Sequence, residues 1–143
     1  MDVSNILIVT DNETELLDQF LSSAGASLNS FRYFQSRPLS VLKNHIVTCL
    51  FIENGQPVGY GHLDKEGNKV WLGIAVSELF KGKGIGTQIM NFLVLKARDN
   101  NIDTLNLSVD AENLHAIQLY KKFGFIVIDA INEKSILMQL KYK

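Results

Sequence analysis

A chain of 143 residues is the size of one domain, and 46% hydrophobic with 20% charged residues and only two prolines describe a packed core rather than a disordered polymer. Fourteen basic against fifteen acidic residues leave a net charge of −1, which excludes the global positive field that would hold a nucleic acid or an anionic membrane. The lone cysteine, Cys49, excludes an internal disulfide, and without a CxxC or Cys/His cluster no metal site is expected.

A reducing, cytoplasmic setting is the expectation. The opening residues lack a basic region and a long apolar stretch, so they read as a first strand rather than a leader. No run approaches the roughly 18 apolar residues that span a bilayer.

In chain order, residues 6–9 are a short β-branched run. Thr10 with Glu13 is a capping-box signature for a helix carrying Leu16, Leu17, Phe20 and Leu21, which Ala24-Gly25 ends through a left-handed glycine. Residues 27–42 mix aromatics and arginines around Pro38 and read as a short irregular helical segment. From His45 the period changes to two. Residues 45–53 form a strand, Asn54-Gly55 a two-residue hairpin turn, residues 56–64 the returning strand, residues 65–68 a second turn and residues 69–76 a third strand. That last strand, VWLGIAV, is nearly all apolar and is expected at the centre of the sheet.

A helix over residues 85–98 follows a glycine-rich loop, then come a strand over 104–109, a helix over 113–123, and closing strands over 125–129 and 135–141. Residues 1–143 are therefore expected to form one mixed α+β domain of order β-α-(α)-β-β-β-α-β-α-β-β. Cys49 falls within a strand as a small core residue.

The chemistry concentrates in Lys81-Gly82-Lys83-Gly84-Ile85-Gly86-Thr87. A strand that runs through three alternate glycines into a helix leaves first-turn amides unpaired and unshielded by Cβ atoms, and the helix dipole favours an anion there by about 0.3–1 kcal/mol. Lys81 and Lys83 add charge at the same place. The Walker spacing is absent, and the dinucleotide fingerprint fails because Thr87 stands where its third glycine belongs. A nearly neutral chain thus carries one focused anion site.

This loop resembles the (Gln/Arg)-x-x-Gly-x-(Gly/Ala) motif of the GNAT superfamily of acyl-CoA N-acyltransferases, with Lys81 departing from the usual Gln or Arg. The resemblance extends through Asn113-Leu114-His115-Ala116-Ile117-Gln118-Leu119-Tyr120-Lys121-Lys122-Phe123-Gly124-Phe125, similar to the family's Asn, Ala-Ile pair and Tyr before Gly-Phe. It implies a mostly antiparallel sheet of about seven strands flanked by helices. It also implies an N-acetyltransferase that moves an acetyl group from acetyl-CoA to a primary amine of a small molecule within a ternary complex.

On that resemblance the amides of Lys81, Gly82, Lys83, Gly84, Ile85, Gly86 and Thr87 hold the coenzyme A pyrophosphate. Ile74, Ala75 and Val76 pair with the pantetheine arm across a splay between central strands, and an amide near Ile74 or Ala75 polarises the thioester. Asn113 contacts the cofactor arm, and Tyr120 is the general acid at the departing thiolate. Phe31, Arg32, Tyr33 and Phe34 lie where the family recognises its acceptor, and they read equally as packing under an irregular loop. Homodimers are common in the family, and an edge strand near the C-terminus is available for pairing.

An amine with a pKa near ~10.4 is about one part in a few thousand neutral at pH 7, a cost of roughly 4–5 kcal/mol unless a base or desolvation assists. No ionisable side chain stands in residues 70–76. His62 shares a strand face with Tyr60 and Asp64 and titrates near neutrality, so it is one candidate base; relayed water and Glu78 are the others. Three other readings are a non-catalytic acyl-CoA sensor, acetylation of a protein or peptide amine, and a module that uses the loop for another phosphate.

Overall fold

A computed structural model describes residues 5–142. The expectation for the first residues of the chain falls in part on residues 1–4, outside the described residues.

Seven strands form one sheet: β1 (Ile6–Ile8), β2 (His45–Glu53), β3 (Gln56–Glu66), β4 (Lys69–Val76), β5 (Thr104–Asp110), β6 (Ile126–Ala130) and β7 (Ser135–Lys141). Their spatial order is β1-β2-β3-β4-β5-β7-β6, antiparallel throughout except for β4 beside β5. The apolar β4 is fourth of seven, as its composition required. Three α-helices complete the fold: α1 (Thr14–Ser23), α2 (Ile85–Asp99) and α3 (Leu114–Lys122).

Local chemistry explains the boundaries. Thr10 and Glu13 form the reciprocal capping box, with the Thr10 amide donating to Glu13 Oε1 at 2.6 Å, and a short 3-10 turn then runs into α1. Gly25 sits at φ +70 just past the helix end. In the first hairpin both Asn54 and Gly55 have positive φ, the geometry whose twist matches that of the flanking strands. The segment expected as one irregular helical piece resolves into three 3-10 turns, Gly25–Asn29, Tyr33–Gln35 and Leu39–Asn44. The second turn is tighter than expected: β3 continues to Glu66, so only Gly67 and Asn68 make the turn, and that change fixes the register of β3 on β4.

Two cores form on opposite faces of the sheet. Leu17 and Phe20 of α1 pack with Leu50, Tyr60 and Ala75. On the other face Ile85, Ile89 and Leu93 of α2 cover Cys49, Phe51, Leu63 and Leu72, and α3 adds Ile117 and Tyr120. Gly59 and Gly61 let α2 approach closely, since a Cβ on Gly61 would stand 2.6 Å from Ile89 Cγ2. Burial pushes the Cys49 thiol up to about 12, which leaves it a neutral core residue. Among the described residues no helix is long and apolar enough to cross a membrane.

Candidate active site

The parallel contact between β4 and β5 is confined to Val70 opposite Leu105 and Trp71 opposite Asn106. Beyond that rung the two strands part. The last rung is tied by Asn106, which is buried and donates from Nδ2 to the Val70 carbonyl at 3.2 Å while its Oδ1 accepts from Gln139 at 2.7 Å.

The strand register decides which backbone groups face the opening. Ser77 donates its amide to the Val58 carbonyl at 2.8 Å, and opposed residues in an antiparallel pair exchange both bonds at every second position. Ala75 opposite Tyr60 and Gly73 opposite His62 therefore direct their backbone groups at β3, whereas Ile74 and Val76 direct theirs at the gap. The Val76 carbonyl is taken by the Ser27 hydroxyl, which ties the loop after α1 to the end of β4.

At the wide end of the gap the chain turns through Glu78–Phe80 into the glycine loop. Gly82 and Gly84 adopt φ +80 and +82, with open space where a Cβ would stand, so glycine is required there for its conformation and not for room. Gly84 caps α2, and the Gln88 amide bonds the Gly84 carbonyl at 3.2 Å. The amides of Ile85, Gly86 and Thr87 belong to the helix's unpaired first turn. Lys81 reaches Glu78 at 3.3 Å, and Lys83 turns its ammonium over the Phe80 ring, 5.1 Å from the centroid.

Gap and loop open into a single cleft of about 910 Å³. Of the residues expected at a site, it is lined by Ile74, Ala75, Val76, Lys81, Gly82, Gly84, Ile85, Gly86, Thr87, Asn113, Tyr120, His62, Phe31, Arg32 and Tyr33. Lys83, Phe34 and Glu78 are not in its lining. Phe34 packs edge-on against Tyr60 at 5.6 Å within the α1-side core.

Asn113 spends its Oδ1 on capping α3, accepting from the Ala116 amide at 3.2 Å. The same helix carries Tyr120, which is buried and lines the cleft. Burial raises the Tyr120 hydroxyl above its ordinary value, so it carries its proton at neutral pH.

His62 is fully enclosed. Its Nδ1 lies 2.7 Å from the Tyr60 hydroxyl, and its ring lies 4.3 Å from that of Tyr33 and 4.6 Å from that of His45. Burial, then the charges of His45 and Arg37, hold its pKa well below the ordinary value, so the imidazole is neutral. The ring lies directly over Gly73: a Cβ there would stand 2.4 Å from Nε2 and 2.5 Å from Cε1. When Nδ1 carries the proton and donates to Tyr60, Nε2 presents a lone pair over Gly73 of β4.

Three contributors were not singled out by sequence reading. Asn106 sits in an ordinary alternating strand. Gly73 acquires its meaning only from the register that places it opposite His62. Asp64 was recognised as sharing a face with His62, but not as a buried carboxylate in the cleft wall.

The family model described as "Acetyltransferase (GNAT) family" matches residues 13–125. An uncharacterized N-acetyltransferase, YobR of Bacillus subtilis, is 40% identical over 67 residues, covering 47% of this chain and 24% of that protein. The spermine/spermidine N(1)-acetyltransferase of Bacillus subtilis is 33% identical over 64 residues, covering 43% of this chain and 42% of that protein. The chain thus spans less than half the length of these relatives.

Among solved structures, a ribosomal-protein-alanine N-acetyltransferase from Brucella melitensis superposes with a TM-score of 0.77 at 20% identity, covering 96% of this chain and 99% of that one. A putative acetyltransferase from Salmonella typhimurium, solved with its cofactor acetyl-CoA, superposes with a TM-score of 0.77 at 17% identity, covering 96% and 93%. At these identities the likeness is one of fold.

Proposed function

Because the chain belongs to the acetyltransferase (GNAT) family, we propose that its cleft takes acetyl-CoA and directs the acetyl group to a primary amine of a small molecule. The observation that carries this reading is the gap between β4 and β5, which runs from the unpaired amides of the glycine loop to the tyrosine on α3. When bound, acetyl-CoA supplies a thioester carbonyl open to attack by a neutral amine.

The chain's own groups have distinct tasks. First-turn amides of α2, with their dipole, hold the pyrophosphate, and two of the three loop glycines supply the left-handed backbone that exposes those amides. Ile74 and Val76 orient the pantetheine arm as an added strand would, and the Ile74 amide donates to the carbonyl oxygen as negative charge gathers there. As the neutral amine attacks and its nitrogen becomes acidic, His62 Nε2, kept neutral by burial, takes the proton that nitrogen sheds. Tyr120, held protonated by burial, gives its proton to the departing sulfur. Phe31, Arg32 and Tyr33 form the acceptor's wall, with Arg32 fixed by Asp110 at 2.8 Å.

The test is thiol release from acetyl-CoA across a panel of small amines, with product read as the acetyl mass gain. Turnover with any amine supports the assignment. Coenzyme A binding without turnover across the panel would refute it and leave a sensor. If His62→Ala keeps both kcat/KM and its pH profile, the role given to His62 is wrong.

A further inference from the structure

Within the sheet, two complete halves meet over a short contact. β4 is paired with β3 from Lys69 to Val76, and β5 with β7 from Thr104 to Asp110, so each strand beside the gap is held along its whole length by its outer neighbour. Between the halves the ladder is confined to Val70 opposite Leu105 and Trp71 opposite Asn106. The angle at which β4 and β5 part, and with it the width of the gap at Ile74 and Val76, is set at that contact.

A polar side-chain pair braces it. Asn106 is 4% exposed, and its Nδ2 reaches across to the Val70 carbonyl at 3.2 Å. Its Oδ1 accepts from Nε2 of Gln139 at 2.7 Å, and Gln139 stands directly opposite it on β7. One line of hydrogen bonds thus joins β4 to β5 to β7. Neither side chain lines the cleft, so the pair acts on a ligand only through the strands.

Stability does not call for this pair. Asparagine is depleted in strands, and a buried pair of bonded polar groups can be exchanged for apolar groups of the same shape at little cost. A second tie, Arg32 on Asp110, joins the segment after α1 to the end of β5, but its side chains are partly exposed and solvent screening leaves such a pair weak. The buried brace is the firmer of the two.

On the acetyl-transfer reading above, we infer that Asn106, braced by Gln139, is a positioning residue for the cofactor: it fixes where β4 and β5 separate and so holds the backbone groups of Ile74 and Val76 at the spacing the pantetheine arm needs. Without the brace the contact can fray back toward Val70 or zip on to Leu72 and Leu107, the next pair in register. Either change moves Ile74. The glycine loop, carried by the start of α2, stays where it is. The brace therefore governs the pantetheine end of the cofactor and not the diphosphate end.

The experiment measures binding of coenzyme A, and of ADP, which has the diphosphate without the pantetheine arm, to wild type, Asn106→Leu, Gln139→Leu and the double variant. Calorimetry reads coenzyme A directly, and ADP by its displacement. Asn106→Leu is expected to weaken coenzyme A by about tenfold and ADP by less than about twofold. Gln139→Leu is expected to give part of that loss, and the double variant no more than Asn106→Leu alone, because the glutamine acts through the asparagine. Urea unfolding verifies that each variant is folded; if Asn106→Leu is not, Gln139→Leu carries the test. If ADP displaces nothing from wild type, loss of coenzyme A affinity at an unchanged urea midpoint supports the inference. Unchanged coenzyme A affinity in Asn106→Leu overturns it while leaving acetyl transfer intact. Equal losses on both ligands overturn it in favour of a general loosening of the fold. Failure of wild type to bind coenzyme A overturns the transferase reading, and this inference with it.

Discussion

Replacing Gly73 with alanine tests the placement of His62 most directly. The new Cβ would stand 2.4 Å from Nε2, 2.5 Å from Cε1 and 3.1 Å from Cδ2. Relaxed contacts of that kind lie near ~3.5 Å, so the ring must recoil by roughly 1 Å. It has little freedom to do so between the Tyr60 hydroxyl and the rings of Tyr33 and His45. Overpacking of this sort costs about 1–3 kcal/mol.

The backbone itself tolerates alanine, because Gly73 does not use a left-handed φ. Where the ring is already gone, in His62→Ala, the same substitution is therefore expected to be neutral or to stabilise by about 0.4–1 kcal/mol through the unfolded chain. The sign of the effect reverses between backgrounds, a coupling on the order of 2–3 kcal/mol in a double-mutant cycle. Urea unfolding of the four proteins measures it. In thiol-release assays, displacing a reacting group by that ångström lowers kcat/KM of Gly73→Ala by about 10²-fold. Equal destabilisation by Gly73→Ala in both backgrounds, or full activity in the single variant, would refute the placement.

Tyr120→Phe keeps the packing and removes the proton, so kcat is expected to fall by about 10²–10⁴-fold with coenzyme A affinity by calorimetry little changed; an unchanged kcat removes Tyr120 from the chemistry. Gly84→Ala meets no neighbour but must hold φ +82, which costs about 1–2 kcal/mol; that loss is expected as roughly tenfold weaker coenzyme A binding. His62, buried and neutral, makes stability depend on pH. Above the unfolded value near ~6.5 both states are unprotonated, and below it only the unfolded chain takes up the proton. Stability is thus lost as pH falls from there toward the lowered folded value, by about 1.4 kcal/mol per unit. Urea midpoints between pH 7 and pH 5 should show that slope in wild type, and one proton less of it in His62→Ala.

Most of the element order was legible because it rests on local chemistry. The Thr10 and Glu13 box, the Asn54-Gly55 turn and the apolar run of β4 each act within a few residues, and each forms where its pattern lies. The glycine loop was legible for the same reason: left-handed backbone and a helix N-terminus are properties of consecutive residues. Residues 27–42 were least legible. Their three 3-10 turns are held by distant partners such as the Val76 carbonyl on Ser27 and Asp64 on Tyr33, not by a repeating apolar stripe.

The sequence by itself determined a glycine loop at a helix start, the tyrosine after it and the sheet that carries both, since each follows from spacing along the chain. Tertiary structure alone decided how these become a cleft. A turn of two residues instead of four moves β4 by two positions on β3, which seats His62 over Gly73 and Asp64 opposite Trp71. The end of the β4 and β5 pairing at Trp71 and Asn106 decides which amides stay open. Whether a carboxylate is buried against neutral donors or beside an arginine is likewise a property of what folds over it. The near-neutral charge of the whole chain thus conceals one uneven region, a glycine loop carrying two lysines at the start of α2.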